Sequence, residues 1–208
     1  MVEVHDLGLI TYEKGQRKQE EIYDYVLNNK EIDGVLVFLE VDPVITTAHS
    51  SGSEEVVFPE EILDKKGIKC IKVNRGGKTT LHGPGQLICY PILNLEKFGK
   101  DLHKYLRNLE EVVINILKEL DIDSGRKKKY TGVWVGEEKI CAMGIHVKRW
   151  ITTHGIALNN DIDLSLFDLI IPCGIKKCRV TSIEKLDTEV EMSILKEKFV
   201  ENFNKVFY

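Results

Sequence analysis

The sequence predicts one α/β domain, residues 1–208, with a mixed β-sheet flanked by helices. Three observations predict it. Short apolar or alternating runs recur as strands between helical stretches. Two segments, about Asp101–Leu120 and the C-terminal "MSILKEKFVENFNKVF", place apolar residues at helical spacing. The 208 residues are 43% apolar and 30% charged, which suits one substantial core in a globular chain. No repeat, low-complexity segment or linker divides the chain.

In order, "VEVHDLGLITY" alternates as a first strand. "KQEEIYDYVLNN" follows as a helix with Ile22, Tyr23, Val26 and Leu27 on one side. "GVLVFLEV" is almost continuously apolar, as expected of a strand covered on both faces, and Pro43 ends it. "SSGSEEVVF" reads as loop. "PEEILDKKG" reads as a short helix with Pro59 at its first position and Gly67 past its end. "IKCIKVN" is a strand leading into "NRGGKTTLHGPGQ". "LICYPILNL" is the next strand, and Pro91 within it implies an edge or a bulge. The longest helix then sets Leu102, Leu106, Leu109, Val113, Ile116, Leu117 and Leu120 on one face. "TGVWVGEEKICAMGIHV" reads as a hairpin turning at "GEE". "WITTHGIALNN" is a further strand, "DLSLFDLIIPCGI" loop or short helix, and an amphipathic helix closes the chain.

The formal net charge of −4 gives no electrostatic footprint for nucleic acid. "GRKKKY", Gly125 to Tyr130, is a local basic candidate for an acidic partner, and equally reads as a solvated loop. The N-terminus lacks the basic start and apolar run of a signal peptide, and no segment has the length of a membrane span. The five cysteines are odd in number and scattered, so reduced thiols and a cytoplasmic location are expected. Cys70, Cys89 and Cys141 lie in strand-like runs and read as buried, inert thiols.

The run from Asn74 to Gln86 fits neither common phosphate loop. It offers permissive backbone at Gly76-Gly77 and Gly83-Pro84-Gly85, with Arg75, Lys78, Thr79, Thr80 and His82 as polar groups. A site is therefore expected there. Cys173, in "IIPCGI", sits in irregular backbone that can present sulfur to a cleft. A free thiol titrates near ~8.5, so a nucleophilic one needs a cation beside it. Lys139, His82 and His154 are the candidate partners. On composition alone Lys139 reads as an exposed strand-end lysine. Zinc held by Cys173, Cys178, His82 and His154 fits the spacing poorly. A serine hydrolase would need G-x-S-x-G, which is absent.

"RGGKTTLHGPGQ", "TGVWVGEEKICAMGIHV", "TTHGIALN" and "PCGI…VTSIE" occur in an order and spacing that resembles the lipoyl(octanoyl) transferase family. The resemblance runs from about Gly8 to the C-terminus. It implies the fold of the biotin and lipoate protein ligases. It implies that Cys173 carries the octanoyl group as a thioester and that Lys139 lowers the thiol's pKa and moves protons. It further implies that Arg75, Gly76, Gly77, Lys78, Thr79, Thr80, Leu81 and His82 line the substrate site. Ala142, Met143 and Gly144, with Gly155, Ile156 and Ala157, complete that lining, with His82 and His154 as orienting candidates. Amides near Gly76–Gly77 or Cys173–Gly174 are candidate oxyanion donors. Asn160 stands where the family pattern has an apolar residue. The implied donor is octanoyl-acyl carrier protein. The implied acceptors are lysines of lipoyl domains of 2-oxoacid dehydrogenases and of the glycine-cleavage carrier protein. No metal, ATP, nucleic acid or membrane is expected to take part. Two other readings are an ATP-dependent lipoate–protein ligase of the same fold, which would not need Cys173, and a binding module without turnover.

Overall fold

The computed structural model describes residues 2–171 and 178–208. The chain opens with β1 (Val2–Ile10), α1 (Tyr12–Asn28), β2 (Gly34–Val41) and β3 (Val44–Ala48). Next come α2 (Glu60–Lys65), β4 (Lys69–Val73), β5 (Thr80–His82) and β6 (Gln86–Leu93). Helix α3 (Leu102–Glu119) leads to β7 (Gly125–Lys127), β8 (Tyr130–Val135), β9 (Glu138–Lys148) and β10 (Ile151–Asn159). Strand β11 (Arg179–Val180) and α4 (Met192–Phe207) follow.

The main sheet has the order β1-β2-β6-β10-β9-β8-β7, with β11 alongside β9. Its β1–β2 and β11–β9 pairs are parallel and its β2–β6, β6–β10 and β10–β9 pairs antiparallel, so the expected mixed sheet is present. A smaller sheet, β4-β3-β5, lies beside it. Period-two alternation divides the core. Leu36 and Phe38 of β2, with Leu87 and Cys89 of β6, pack with Leu109 and Val113 of α3 and with Phe199 and Phe203 of α4. Val35, Val37 and Leu39, with Ile88, Tyr90 and Ile92, pack with Ile22 and Val26 of α1. Helices thus cover both faces of β2, which is why its sequence shows no polar face. Each side chain of this size contributes about 1.5–3 kcal/mol on burial.

Several local expectations change. Helix α1 starts at Tyr12 rather than Lys18, and the Thr11 side chain caps it by accepting from the Lys14 amide. Gly15 weakens the helical signal in the sequence. In the fold its bare backbone lets α1 lie close to β2: a Cβ there would lie 2.8 Å from Leu39 Cδ1, which would have to turn aside. Past Pro43 the chain immediately forms β3, which the sequence reading lacked. The "SSGSEEVVF" loop contains a 3-10 turn, Ser53–Glu55, and Val56 bridges to Ile170. Pro59 stands at the N-cap of α2 instead of its first turn, and Gly67 follows in the left-handed region (φ 70°) as expected. Cys70 is exposed on the outer strand β4, whereas Cys89 and Cys141 are buried as expected.

The largest correction concerns Pro91. Strand β6 is at the centre of the sheet, with Pro91 opposite Leu36 of β2. On the other side, pairing with β10 covers Gln86–Cys89 and stops before Pro91. A single bridge, Asn94 to Ile151, resumes it. Gly155 makes the gap possible: a Cβ there would meet Cys89 O at 2.2 Å and Pro91 Cδ at 2.5 Å. Thr152 Oγ1 fills the ladder by donating to Pro91 O at 2.6 Å and accepting from Leu93 N at 2.8 Å. The ladder break places the proline in a central strand without an orphaned amide.

The β8–β9 hairpin turns at Gly136 (φ 53°) as expected, and β9 returns into β10 through Arg149 and Trp150, both left-handed. Two such residues match the twist of a tight hairpin. Among the described residues no helix is long and apolar enough to cross a membrane.

Candidate active site

The β9–β10 ladder forms part of the lining of a cavity of about 270 Å³. Three successive rungs, Gly155 opposite Gly144, Ile156 opposite Met143 and Ala157 opposite Ala142, bring the two expected substrate segments together. All six residues line the cavity. Arg75, Gly76, Gly77, Lys78, Thr79, Thr80 and His82 also line it, together with Lys139 and His154. Leu81 does not. It is fully buried with Ile45 and Leu63 under the small sheet, because Thr80–His82 is a strand and alternate residues turn opposite ways.

The glycine-rich run divides into two parts. Gly76 N donates to Ile145 O at 2.8 Å, which docks the first glycine pair against β9 and removes that amide as an oxyanion donor. The approach is close on both sides: a Cβ on Gly144 would lie 2.7 Å from Gly76 O. The second part packs on protein. Gly85 (φ 80°) accepts at its carbonyl from the Asn160 and Asp161 amides, both at 3.1 Å. Asn160 is buried and its Nδ2 donates to Val190 O at 3.0 Å, so the unexpected asparagine ties this turn to the C-terminal region.

Arg75 holds the loop in shape. Its Nη1 donates to Gly76 O and Lys78 O, and its Nη2 to Thr46 O and Thr46 Oγ1 at 3.0 and 2.8 Å. Lys78 donates to Ser50 O and pairs with Glu55 Oε1 at 3.1 Å. Burial pushes the Glu55 carboxyl up, but the Thr79 and Gly52 amides and Lys78 outweigh it and hold it at about 2.

A buried polar chain fixes His82. Its Nδ1 lies 2.8 Å from Gln86 Oε1, Gln86 Nε2 donates to Asn159 Oδ1 at 2.9 Å, and Asn159 Nδ2 donates to Thr181 O at 2.9 Å. A backbone carbonyl only accepts, so each amide in turn is oriented and Nδ1 carries the proton. Burial pushes the imidazole down to about 4; Gln86 opposes this and Arg75 adds to it. His154 is left-handed (φ 57°), its amide donates to Gln19 Oε1 at 2.6 Å, and its ring meets Tyr90 edge-on. Burial, then Arg75, His146 and His82, lower it to about 3. Both rings are neutral at pH 7 and cannot supply a cation to a thiol.

These two buried rings make folding stability depend on pH. An unfolded imidazole titrates near ~6.5, so below that pH the unfolded chain binds protons that the folded chain refuses. Their contribution is complete above pH ~6.5 and is lost as pH falls toward about 4 for His82 and about 3 for His154. Each ring contributes roughly 3–5 kcal/mol of this dependence. Urea unfolding at pH 7 and pH 4.5 is expected to show the loss, and His82→Gln with His154→Gln to flatten it. An unchanged slope in the double variant contradicts the neutral rings.

Lys139 is buried, at 5% exposure, which overturns the composition-based reading of an exposed strand end. Its Nζ donates to Thr131 O at 3.0 Å and stands 4.8 Å from the Trp134 ring centroid. Cys173 lies outside the described residues. Both described flanks of its segment are anchored beside the cavity lining. Ile171 N donates to Glu55 O at 2.7 Å, and Glu55 also accepts from Thr79 N. Val180 pairs with Lys139, and Thr181 N donates to Lys139 O at 3.0 Å. Among the described residues no group of three His, Cys, Asp or Glu side chains converges on a metal-sized site.

Tyr12, Tyr90, Leu106, Lys129, Tyr130, Thr131 and Ile145 also line the cavity and were not expected. Ile145 was detectable as the next rung of the β9 ladder. "GRKKKY" is only partly a solvated loop. Arg126 bonds Glu110 and Glu111, and Lys127 pairs with Glu137 at 2.7 Å. Lys129 and Tyr130 remain exposed and contribute to the cavity.

Residues 12–204 match the lipoyl protein ligase A/B catalytic domain family. An octanoyltransferase from Caldanaerobacter subterraneus subsp. tengcongensis is 50% identical over 99% of this chain and 90% of its own. The chain belongs to the octanoyltransferase family. The chain is therefore an acyltransferase, in agreement with the sequence resemblance. Its fold is that of the ligases. A bipartite lipoate protein ligase from Thermoplasma acidophilum superposes with a TM-score of 0.74 at 18% identity, covering 99% of this chain and 84% of that one. The biotin protein ligase from Aquifex aeolicus gives 0.55 at 14% identity, over 99% and 68%.

Proposed function

We propose that octanoyl transfer by this enzyme runs through a thioester on Cys173, from octanoyl-acyl carrier protein to a lysine of a lipoyl domain. The observation that carries this reading is the convergence of buried Lys139 with Arg75–Thr80 and the Ala142–Gly144 and Gly155–Ala157 rungs around one cavity. Apolar side chains and bare backbone suit an acyl chain, and a buried cation suits a thiolate.

In the first step the Cys173 thiolate attacks the octanoyl carbonyl carbon. A new C–S bond forms, the bond to the carrier sulfur breaks, and the carrier thiolate leaves with a proton from the Lys139 ammonium, whose amine is left neutral. One thioester replaces another with little change in energy. In the second step the acceptor amine attacks the same carbon, the C–N bond forms, and the Cys173 sulfur leaves. A free lysine amine titrates near ~10.4 and arrives mostly protonated, so a base is needed. Lys139, neutral since the first step, takes one proton directly or through a water it holds and is again an ammonium beside the departing Cys173 thiolate, and the second proton passes to solvent. The amide product is more stable than the thioester, which drives transfer without a nucleotide or a metal. The acceptors are lipoyl domains of 2-oxoacid dehydrogenases and the glycine-cleavage carrier protein.

The test is octanoyl transfer from octanoyl-acyl carrier protein to a lipoyl domain, with chelator present and ATP absent. Full amide formation is expected. An absolute requirement for ATP with release of AMP would place the enzyme with the ligases instead.

A further inference from the structure

Glu110 is a fully buried carboxylate on α3, at 1% exposure. Its two oxygens do different things. Oε2 takes Arg107 Nη1 at 2.6 Å and Arg126 Nε at 3.0 Å. Oε1 accepts from Gly132 N at 3.0 Å. That amide belongs to the Thr131–Gly132 peptide, whose carbonyl at the other end accepts from Lys139 Nζ at 3.0 Å. A carboxylate, one peptide dipole and an ammonium therefore stand in line, each polarising the next. Gly132 permits this geometry: its φ is 122°, and a Cβ would lie 2.5 Å from Cys141 O and 3.3–3.4 Å from Lys139 Cε and Nζ.

We infer that Glu110 is a positioning residue for Lys139, acting through the Thr131–Gly132 peptide to hold the ammonium in the acyl site. The inference rests on the reading of Lys139 as the charge beside the Cys173 thiol. It differs from a direct electrostatic effect in sign. Burial pushes the nearby Cys141 thiol up, Lys139 pulls it down, and Glu110 adds to the rise. A carboxylate acting directly on a thiol thus suppresses the thiolate, and its removal would speed alkylation. Acting through Lys139, its removal slows alkylation.

The experiment measures the iodoacetamide rate at Cys173 against pH, octanoyl transfer and the urea midpoint in wild type and four variants. These are Glu110→Leu, Arg126→Ala, Lys139→Met and Glu110→Leu with Lys139→Met. Glu110→Leu is expected to slow alkylation at neutral pH about tenfold, recovering as pH rises. The double variant should be no slower than Lys139→Met, since contacts in one chain of interactions are not additive. Arg126→Ala should lower the urea midpoint and leave the alkylation profile within about twofold, because the Gly132 bond survives. If Glu110→Leu does not fold, Glu110→Asp keeps the charge, withdraws Oε1 from Gly132 and should give the same profile. The inference is overturned if Glu110→Leu alkylates as fast as wild type or faster. It is also overturned if the slowing is equal at every pH, if Arg126→Ala reproduces it, or if Glu110→Leu costs the same factor in the Lys139→Met background. An unchanged profile in Lys139→Met alone defeats the reading of the lysine, and a slow Glu110→Leu in that case shows that the carboxylate acts by another route.

Discussion

Lys139→Met is expected to slow octanoyl transfer by about 10²-fold or more, the range in which a positioned proton-transfer group works. Methionine fills much of the lysine's volume and removes its charge. Thr131 O, which accepts from Nζ at 3.0 Å, then loses its donor. Trp134 loses the cation 4.8 Å from its ring centroid. Thiols titrate near ~8.5, so without the cation Cys173 stays mostly protonated at neutral pH. Its alkylation should fall and recover as pH rises. Lys139→Arg separates charge from base. Arginine keeps the cation but stays protonated, so alkylation should be partly retained while transfer remains slow. Iodoacetamide rates at Cys173, read by mass spectrometry beside transfer assays, check both. If Lys139→Met leaves the alkylation profile unchanged, the electrostatic role is wrong. The neutral histidines offer no substitute cation, and His82 and His154 would be left as orienting groups for a thiol activated by other means. If Lys139→Arg transfers as fast as wild type, the lysine is a charge only.

Gly155→Ala is expected to destabilise the protein by about 3 kcal/mol or more, at the upper end of what overpacking costs. The new methyl carbon would start 2.2 Å from Cys89 O and 2.5 Å from Pro91 Cδ. Neither can swing aside, because one is backbone and the other is a ring in the central strand. Strands β6 and β10 would have to separate where Thr152 already stands in for ladder bonds. For a chain of this size the loss corresponds to a fall of roughly 6–12 °C in Tm. Gly125→Ala is the control, since nothing lies within 4 Å of a Cβ at that position. Thermal unfolding of the two variants beside wild type decides the point. Equal midpoints for Gly155→Ala and Gly125→Ala would mean that the sheet yields more easily than its geometry implies.

How far the sequence spoke depended on the range of the interaction. Periodicity is local, so β2, α3, α4 and the β8–β9 hairpin were legible. The short strands β3 and β5 were not, because each exists only by pairing with residues far away in the chain; β7 pairs with the neighbouring β8, but its short polar run carries no apolar alternation. Pro91 pointed to an edge or a bulge, whereas the strand is central and its pairing with β10 stops before the proline. Its place at the sheet centre depended on Gly155 and Thr152, which no local pattern connects to it. In the site, the composition of the glycine-rich run drew attention correctly, yet Gly76 and Gly77 face the cavity while Gly85 packs against Asn160 and Asp161. The same permissive backbone serves both purposes and reads alike. Lys139 was ambiguous because a one-residue change of register reverses a strand's faces. Its pairing with Trp134 on one side and Val180 on the other settles its burial. Tyr12 and Tyr90 escaped notice because α1 and β6 bring them to the cavity from opposite ends of unrelated runs.

The measurement that bears most directly on the central claim is the intact mass of the enzyme after mixing with octanoyl-acyl carrier protein. The account predicts an enzyme heavier by one octanoyl group, with peptide spectra placing it on Cys173 and no adduct on Cys173→Ser. The adduct should disappear when a lipoyl domain is added, as the acceptor gains the same mass. Octanoyl on another cysteine, equal loading of Cys173→Ser, or transfer at the wild-type rate by Cys173→Ser would contradict it.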